Sequence, residues 1–167
     1  MPSLERLLER FIRADVEFVV VGGYAAMIYG STYVTLDVDL CCPLDAGNLQ
    51  KIHSAVADLH PIHRMTPQRL PFELNLDSAR PLRNLYLGTD LGQIDLLGSV
   101  PQGDYTFAKA HSTFVDLPFG RCRVLDIPAL IQSKELVGRS KDFLVAAQLR
   151  AILDATGSPP SSADENH

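Results

Sequence analysis

No apolar run in this 167-residue chain approaches the roughly 20 residues that a membrane-spanning helix needs, which excludes a bilayer span. The opening stretch, MPSLERLLERFIRADVEF, alternates charge with leucine at helical spacing, unlike a signal peptide, and predicts a cytoplasmic protein. Cysteine is scarce. Cys41, Cys42 and Cys122 form neither an even disulfide set nor a CxxC metal spacing, so they are expected to be small buried hydrophobes in a reducing compartment. Basic charge is in deficit: 15 Lys and Arg against 20 Asp and Glu leave a net charge of -5. That balance weighs against a surface that clamps nucleic acid throughout, while leaving room for a local basic patch. Nucleophile-elbow sequences and internal repeats are also missing, so hydrolysis by a Ser-His-Asp triad has no visible support. His60 and His63 in HPIHR flank Pro61 with no cysteine nearby, and they read as a surface loop rather than a zinc site. Asp104, Tyr105 and His111 have no partner visible in the sequence.

What is present is an ordinary globular composition, 46% hydrophobic and 21% charged, which predicts one folded domain over 1–155 and a disordered tail over 156–167. Leu4, Leu7, Leu8, Phe11 and Ile12 make the apolar stripe of a helix that should close near Ala14 or Asp15. The run EFVVV predicts a strand covered on both faces, and GGYAAMIYG a turn into a short helix. VTLDVDLCC reads as a strand ended by Pro43, followed by a helix over LDAGNLQKIHSAVADL. Signals are weak between His60 and Pro71. FELNLD, RNLYLGT and GQIDLLGSV predict three more strands, and STFVDL with RCRVLD a small hairpin. IPALIQSKELVG and SKDFLVAAQLRAIL predict a C-terminal pair of helices. This irregular alternation predicts an α+β (mixed α/β) domain, with one central mixed sheet flanked by helices.

Two aspartates interrupt the apolar strand. Asp37 and Asp39 should share one face while Leu36, Val38 and Leu40 share the other, with the two aspartate Cα atoms roughly 6.6 Å apart. Carboxylates that close repel each other and are costly to bury, and a divalent cation is the usual remedy. Magnesium suits such a pair, because it takes one or two carboxylates together with substrate phosphates. Asp95, between Ile94 and Leu96, has the pattern of a third carboxylate facing away from the core. Gly22 and Gly23, after a strand and at the start of a helix, could let a phosphate approach open backbone N–H groups.

Together these residues resemble the signature of the nucleotidyltransferase (polymerase β-like) superfamily. The likeness is to a small bacterial branch that includes AbiEii-like toxin nucleotidyltransferases and some antibiotic nucleotidyltransferases. Gly22, Gly23, Ala25, Gly30, Thr35, Asp37 and Asp39 match its GG-x-A, G and T-x-D-x-D pattern, and Lys134, Arg139, Lys141 and Asp142 match its K…R-x-KD segment. The resemblance implies transfer of a nucleoside monophosphate from an NTP to a hydroxyl on a protein, a tRNA or a small molecule. It implies two magnesium ions on Asp37, Asp39 and Asp95, and a catalytic role for those three residues. It implies phosphate binding by Gly22, Gly23, Ser31, Lys134 and Lys141, the two lysines being expected on one helical face. A toxin role with a cognate antitoxin partner is a further implication, as is its alternative, an inactive binding module of the same fold. Tyr33 departs from the branch, standing where an arginine is common, and an aromatic there could stack on a base or ring instead.

Overall fold

β-Branched and leucine-rich segments that cannot expose either face organise the molecule. Val19–Val21 (β1) is buried throughout and lies antiparallel to Asp37–Cys41 (β2), with Val21 opposite Asp39. The computed structural model describes residues 2–74 and 82–156. Three further strands, Ile62–His63 (β3), Asn84–Thr89 (β4) and Gly92–Leu97 (β5), extend the sheet on the β2 side. Beyond a two-stranded ribbon of Ser99–Val100 (β6) and Gly103–Asp104 (β7), the hairpin Ser112–Leu117 (β8) and Gly120–Leu125 (β9) extends it on the β1 side. The resulting seven-stranded sheet has the order β3-β4-β5-β2-β1-β9-β8. It is mixed: β1 runs parallel to β9 and β2 parallel to β5, while the other pairs are antiparallel.

Leu4–Arg13 (α1) buries Leu7, Leu8 and Phe11 against β2, β5, β9 and the helix Ala46–Val56 (α3). Each of those side chains contributes about 1.5–3 kcal/mol by leaving water. The short helix Gly22–Tyr29 (α2) packs on β1 and β2, and the C-terminal helices Ile127–Val137 (α5) and Ser140–Thr156 (α6) pack on it. Ser3, Asp45 and Asp126 cap α1, α3 and α5 with side-chain oxygens, as Asp104 does for Tyr105–Ala110 (α4). No helix is long and apolar enough to cross a membrane among the described residues. All three cysteines are buried and free, as their composition predicts.

The structure corrects several sequence expectations. The strand expected from Val34 begins only at Asp37. Leu36, placed by alternation on the inner face, is 81% exposed, because Thr35 bonds the backbone of Asp37 and makes a turn there. GQIDLLGSV is two strands, broken at Gly98, whose N–H bonds the Arg83 carbonyl at 2.8 Å in a space that would not admit a side chain. Residues 72–74 of FELNLD form no strand, although Pro71 makes an isolated bridge with Ile62, and the remainder lies outside the described residues. α4, β3, β7 and the pairing of β6 with β7 are absent from the sequence reading. Asp104 and His111 belong to α4, Asp104 as its cap and His111 stacked on Phe107. α6 reaches Thr156, and the tail expected to be disordered lies outside the described residues from 157 onward.

Candidate active site

Sheet register builds the site. Asp39 pairs with Asp95 across the parallel β2–β5 ladder, Asp95 pairs with Tyr86 on β4, and Asp39 pairs with Val21 on β1. Directly opposed residues share a face, so Asp39 and Asp95 stand side by side, with Asp37 two residues away on the same face. Val38, Leu40, Ile94 and Leu96 take the other face and are fully buried.

Where β1 ends, Gly22 turns the chain into α2 with φ +65°, and a Cβ added there would collide with Asp39 Oδ2. Glycine is therefore needed twice, for the left-handed backbone and to admit the carboxylate. Gly23 is under less constraint: a Cβ would meet Thr35 Cβ at 3.2 Å and its Oγ1 at 3.3 Å. Gly22→Ala should lower stability by about 2 kcal/mol and Gly23→Ala by less than about 1 kcal/mol, measured by denaturant unfolding. Equal losses would contradict the account of Gly22. Val21 offers α2 no side-chain cap, and Gly22 lines a cavity of about 140 Å³ with Asp39, Ser99, Lys134, Arg139 and Asp142 among its walls. The open end of a helix therefore borders this cavity, where N–H groups and the helix dipole favour an anion.

Positive charge enters from the C-terminal pair. Asp142, 1% exposed, accepts from Arg139 Nε at 2.7 Å and Nη2 at 3.2 Å, and from Lys134 Nζ at 3.4 Å. Burial raises the Asp142 carboxyl, but the hydrogen bonds from Arg139 and the charge of Lys134 outweigh it and hold the group below the ordinary carboxylate value. Lys134 also acts on Asp39, and Asp39 and Tyr33 both act on Arg139. Lys134 and Lys141 do not share a helical face, contrary to the sequence expectation. Gly138, with φ +74°, ends α5 between them, leaving Lys141 exposed on α6 and outside the cavity lining. Ser31 is also engaged elsewhere: its hydroxyl donates to Gln148 Oε1 at 2.6 Å, which ties the loop after α2 to α6.

Burial, reinforced by the charges of Asp95 and Asp37, pushes Asp39 up to about 7. Burial likewise raises Asp95, against the pull of Arg64, whose Nη2 lies 2.6 Å from Asp95 Oδ1. Because folded Asp39 holds its proton to higher pH than the unfolded chain, its contribution to stability is present at acid pH and is lost as pH rises towards about 7. Metal-free protein should melt lower at pH 8 than at pH 5, and Asp39→Asn should flatten that dependence. An unchanged slope in Asp39→Asn would count against the assignment.

The donor set suits a divalent cation on two counts. Asp37 Oδ1 is buried without a hydrogen-bond partner, and the crowding that raises Asp39 is what a bound cation would relieve. Among the described residues no three His, Cys, Asp or Glu side chains already converge on one point, and Asp95 is paired with Arg64. Sequence reasoning missed Arg64, which reaches Asp95, and Gln148, which engages Ser31. Arg64 lies in the stretch from His60 to Pro71, where no periodicity marks it. Gln148 looks like any polar residue of α6.

The mixed sheet, the helix turned in at Gly22 and the C-terminal helix pair make up a nucleotidyltransferase fold. The structure is similar to that of the lincosamide antibiotic adenylyltransferase LnuA with lincomycin bound, at 15% identity and a TM-score of 0.57 over 90% of this chain and 98% of that one. It is also similar to a proposed nucleotidyltransferase from Thermotoga maritima, at 16% identity and a TM-score of 0.54 over 91% of each chain. By sequence, no protein-family model and no curated protein matches the chain.

Proposed function

We propose that the protein is a magnesium-dependent nucleotidyltransferase that moves a nucleoside monophosphate from an NTP to a hydroxyl acceptor and releases pyrophosphate. The observation that carries this reading is the register of Asp39 against Asp95, with Asp37 on the same face, beside a helix opening that Gly22 keeps clear. Asp37, Asp39 and Asp95 would hold the cations, which when bound supply charge neutralisation of the triphosphate and of the attacking and leaving oxygens. The first N–H groups of α2 donate to the phosphate oxygens, and Lys134 and Arg139 offset their charge from across the cavity. Asp95, at the side of the row away from Gly22, orients the acceptor hydroxyl and takes its proton.

A small-molecule acceptor is favoured among the hydroxyl-bearing classes. What supports it is the likeness to LnuA, a lincosamide antibiotic adenylyltransferase, 98% of whose chain is covered. A protein or tRNA acceptor, as a toxin of a toxin–antitoxin pair would use, would rely on the same carboxylates. One observation favours a second reading, a binding module without turnover: Asp95 is held by Arg64.

The test is calorimetric titration of each NTP with magnesium and with a chelator, followed by transfer of an α-labelled nucleotide to a panel of hydroxyl compounds. Magnesium-dependent binding with label transfer supports the enzyme. Binding without transfer to any acceptor class supports the module, and no binding by folded protein rejects both.

A further inference from the structure

The carboxylate face carries a cation of its own at the end away from Gly22. Beyond β3 the Arg64 N–H bonds the Tyr86 carbonyl at 3.0 Å, so Arg64 extends the row that runs through Tyr86, Asp95 and Asp39 to Val21. From there its guanidinium passes 5.9 Å from the centre of the Tyr86 ring and reaches Asp95. Both side chains are shielded, Arg64 at 14% and Asp95 at 16% exposure. The guanidinium is only half used: Nη1 is buried and has no hydrogen-bond partner. Leaving a buried donor unpaired is unfavourable, so Nη1 is open to an acceptor that a ligand brings. Asp37 Oδ1, also buried and unpartnered, lies on the same face.

We infer that Arg64 is the stand-in counter-ion of the carboxylate face, exchanged for a divalent cation when substrate binds. With Asp95 released, the guanidinium turns its free N–H arm to a phosphate oxygen of the nucleotide. Arg64 is thus a positioning residue for Asp95 in one state and a phosphate ligand in the other. The ion pair competes with metal for one carboxylate, and the freed guanidinium then adds to the affinity for metal-bound nucleotide. The inference rests on the proposed nucleotidyl transfer, and it accounts for a carboxylate set that does not converge while Arg64 holds one member.

The two roles predict effects of opposite sign for one substitution. In Arg64→Ala, manganese alone, read by the electron paramagnetic resonance of the free ion, should bind about tenfold tighter than in the wild type, since a competing charge is gone. The same variant should bind the manganese complex of a non-hydrolysable ATP analogue about tenfold more weakly, since a charged phosphate contact is lost. Arg64→Lys, which keeps the charge, should stay near wild type for manganese alone. A structural role would move both affinities in one direction together with the melting temperature, and that result, or no change in either, overturns the inference. If the wild type binds manganese but none of the four metal-bound NTPs, the nucleotidyl-transfer reading itself falls.

Discussion

Asp39→Asn should abolish nucleotidyl transfer, with a drop of roughly a thousandfold or more, because the site loses the central charge of its carboxylate row. The same substitution should leave the metal-free protein at least as stable as wild type at pH 8. Asp39 is crowded by Asp95 and Asp37, and burial already pushes its carboxyl up to about 7, so above that pH the folded chain carries an unfavourable charge that asparagine removes. A steady-state assay beside a thermal melt checks both outcomes. Few structural residues give this combination, because a group that holds a fold together lowers stability when it is lost. If Asp39→Asn kept full transfer, the aspartates would be solvated positions on a sheet face and the proposed chemistry would fail.

The largest loss of stability is expected at Asp142. Its carboxylate accepts from the Arg139 backbone N–H at 3.2 Å as well as from the guanidinium and from Lys134, so one buried side chain closes the turn from α5 to α6 and fixes two cations beside the cavity. Asp142→Ala should destabilise the fold by about 3 kcal/mol, because it leaves Lys134, only 13% exposed, without its partner. Asp142→Asn keeps an acceptor for the Arg139 N–H and should lose less. Urea unfolding of the two variants separates these predictions, and a loss below about 1 kcal/mol in Asp142→Ala would show that solvent replaces the contact. Nucleotide affinity should fall with Asp142→Ala even under conditions where the variant remains folded, because Arg139 is no longer tethered.

The amphipathic stripe of α1, the buried run of β1 and the β8–β9 hairpin were readable because each carries its own period or turn chemistry over a few residues. So was the alternation that sets Asp95 apart from Ile94 and Leu96. Alternation failed at Leu36, where a local turn made by Thr35 overrides the strand pattern. Spacing alone put Lys134 and Lys141 on one face, although the sequence already splits IPALIQSKELVG from SKDFLVAAQLRAIL at Gly138, and a seven-residue spacing has no meaning across two helices.

The sequence by itself determined which residue types stand at the site. Two glycines, an Asp-x-Asp strand and a third aspartate are local facts, and their chemistry of phosphate and oxygen-seeking cations follows from the side chains. Only the tertiary structure decided that Asp95 stands opposite Asp39, since register between strands distant in the chain depends on how whole elements pack. It alone brought Arg64 to Asp95, and Lys134 with Arg139 to Asp142 beside the Gly22 turn. Electrostatic partners meet through space, and a charge with no period of its own leaves no mark in the sequence to say which carboxylate it will find.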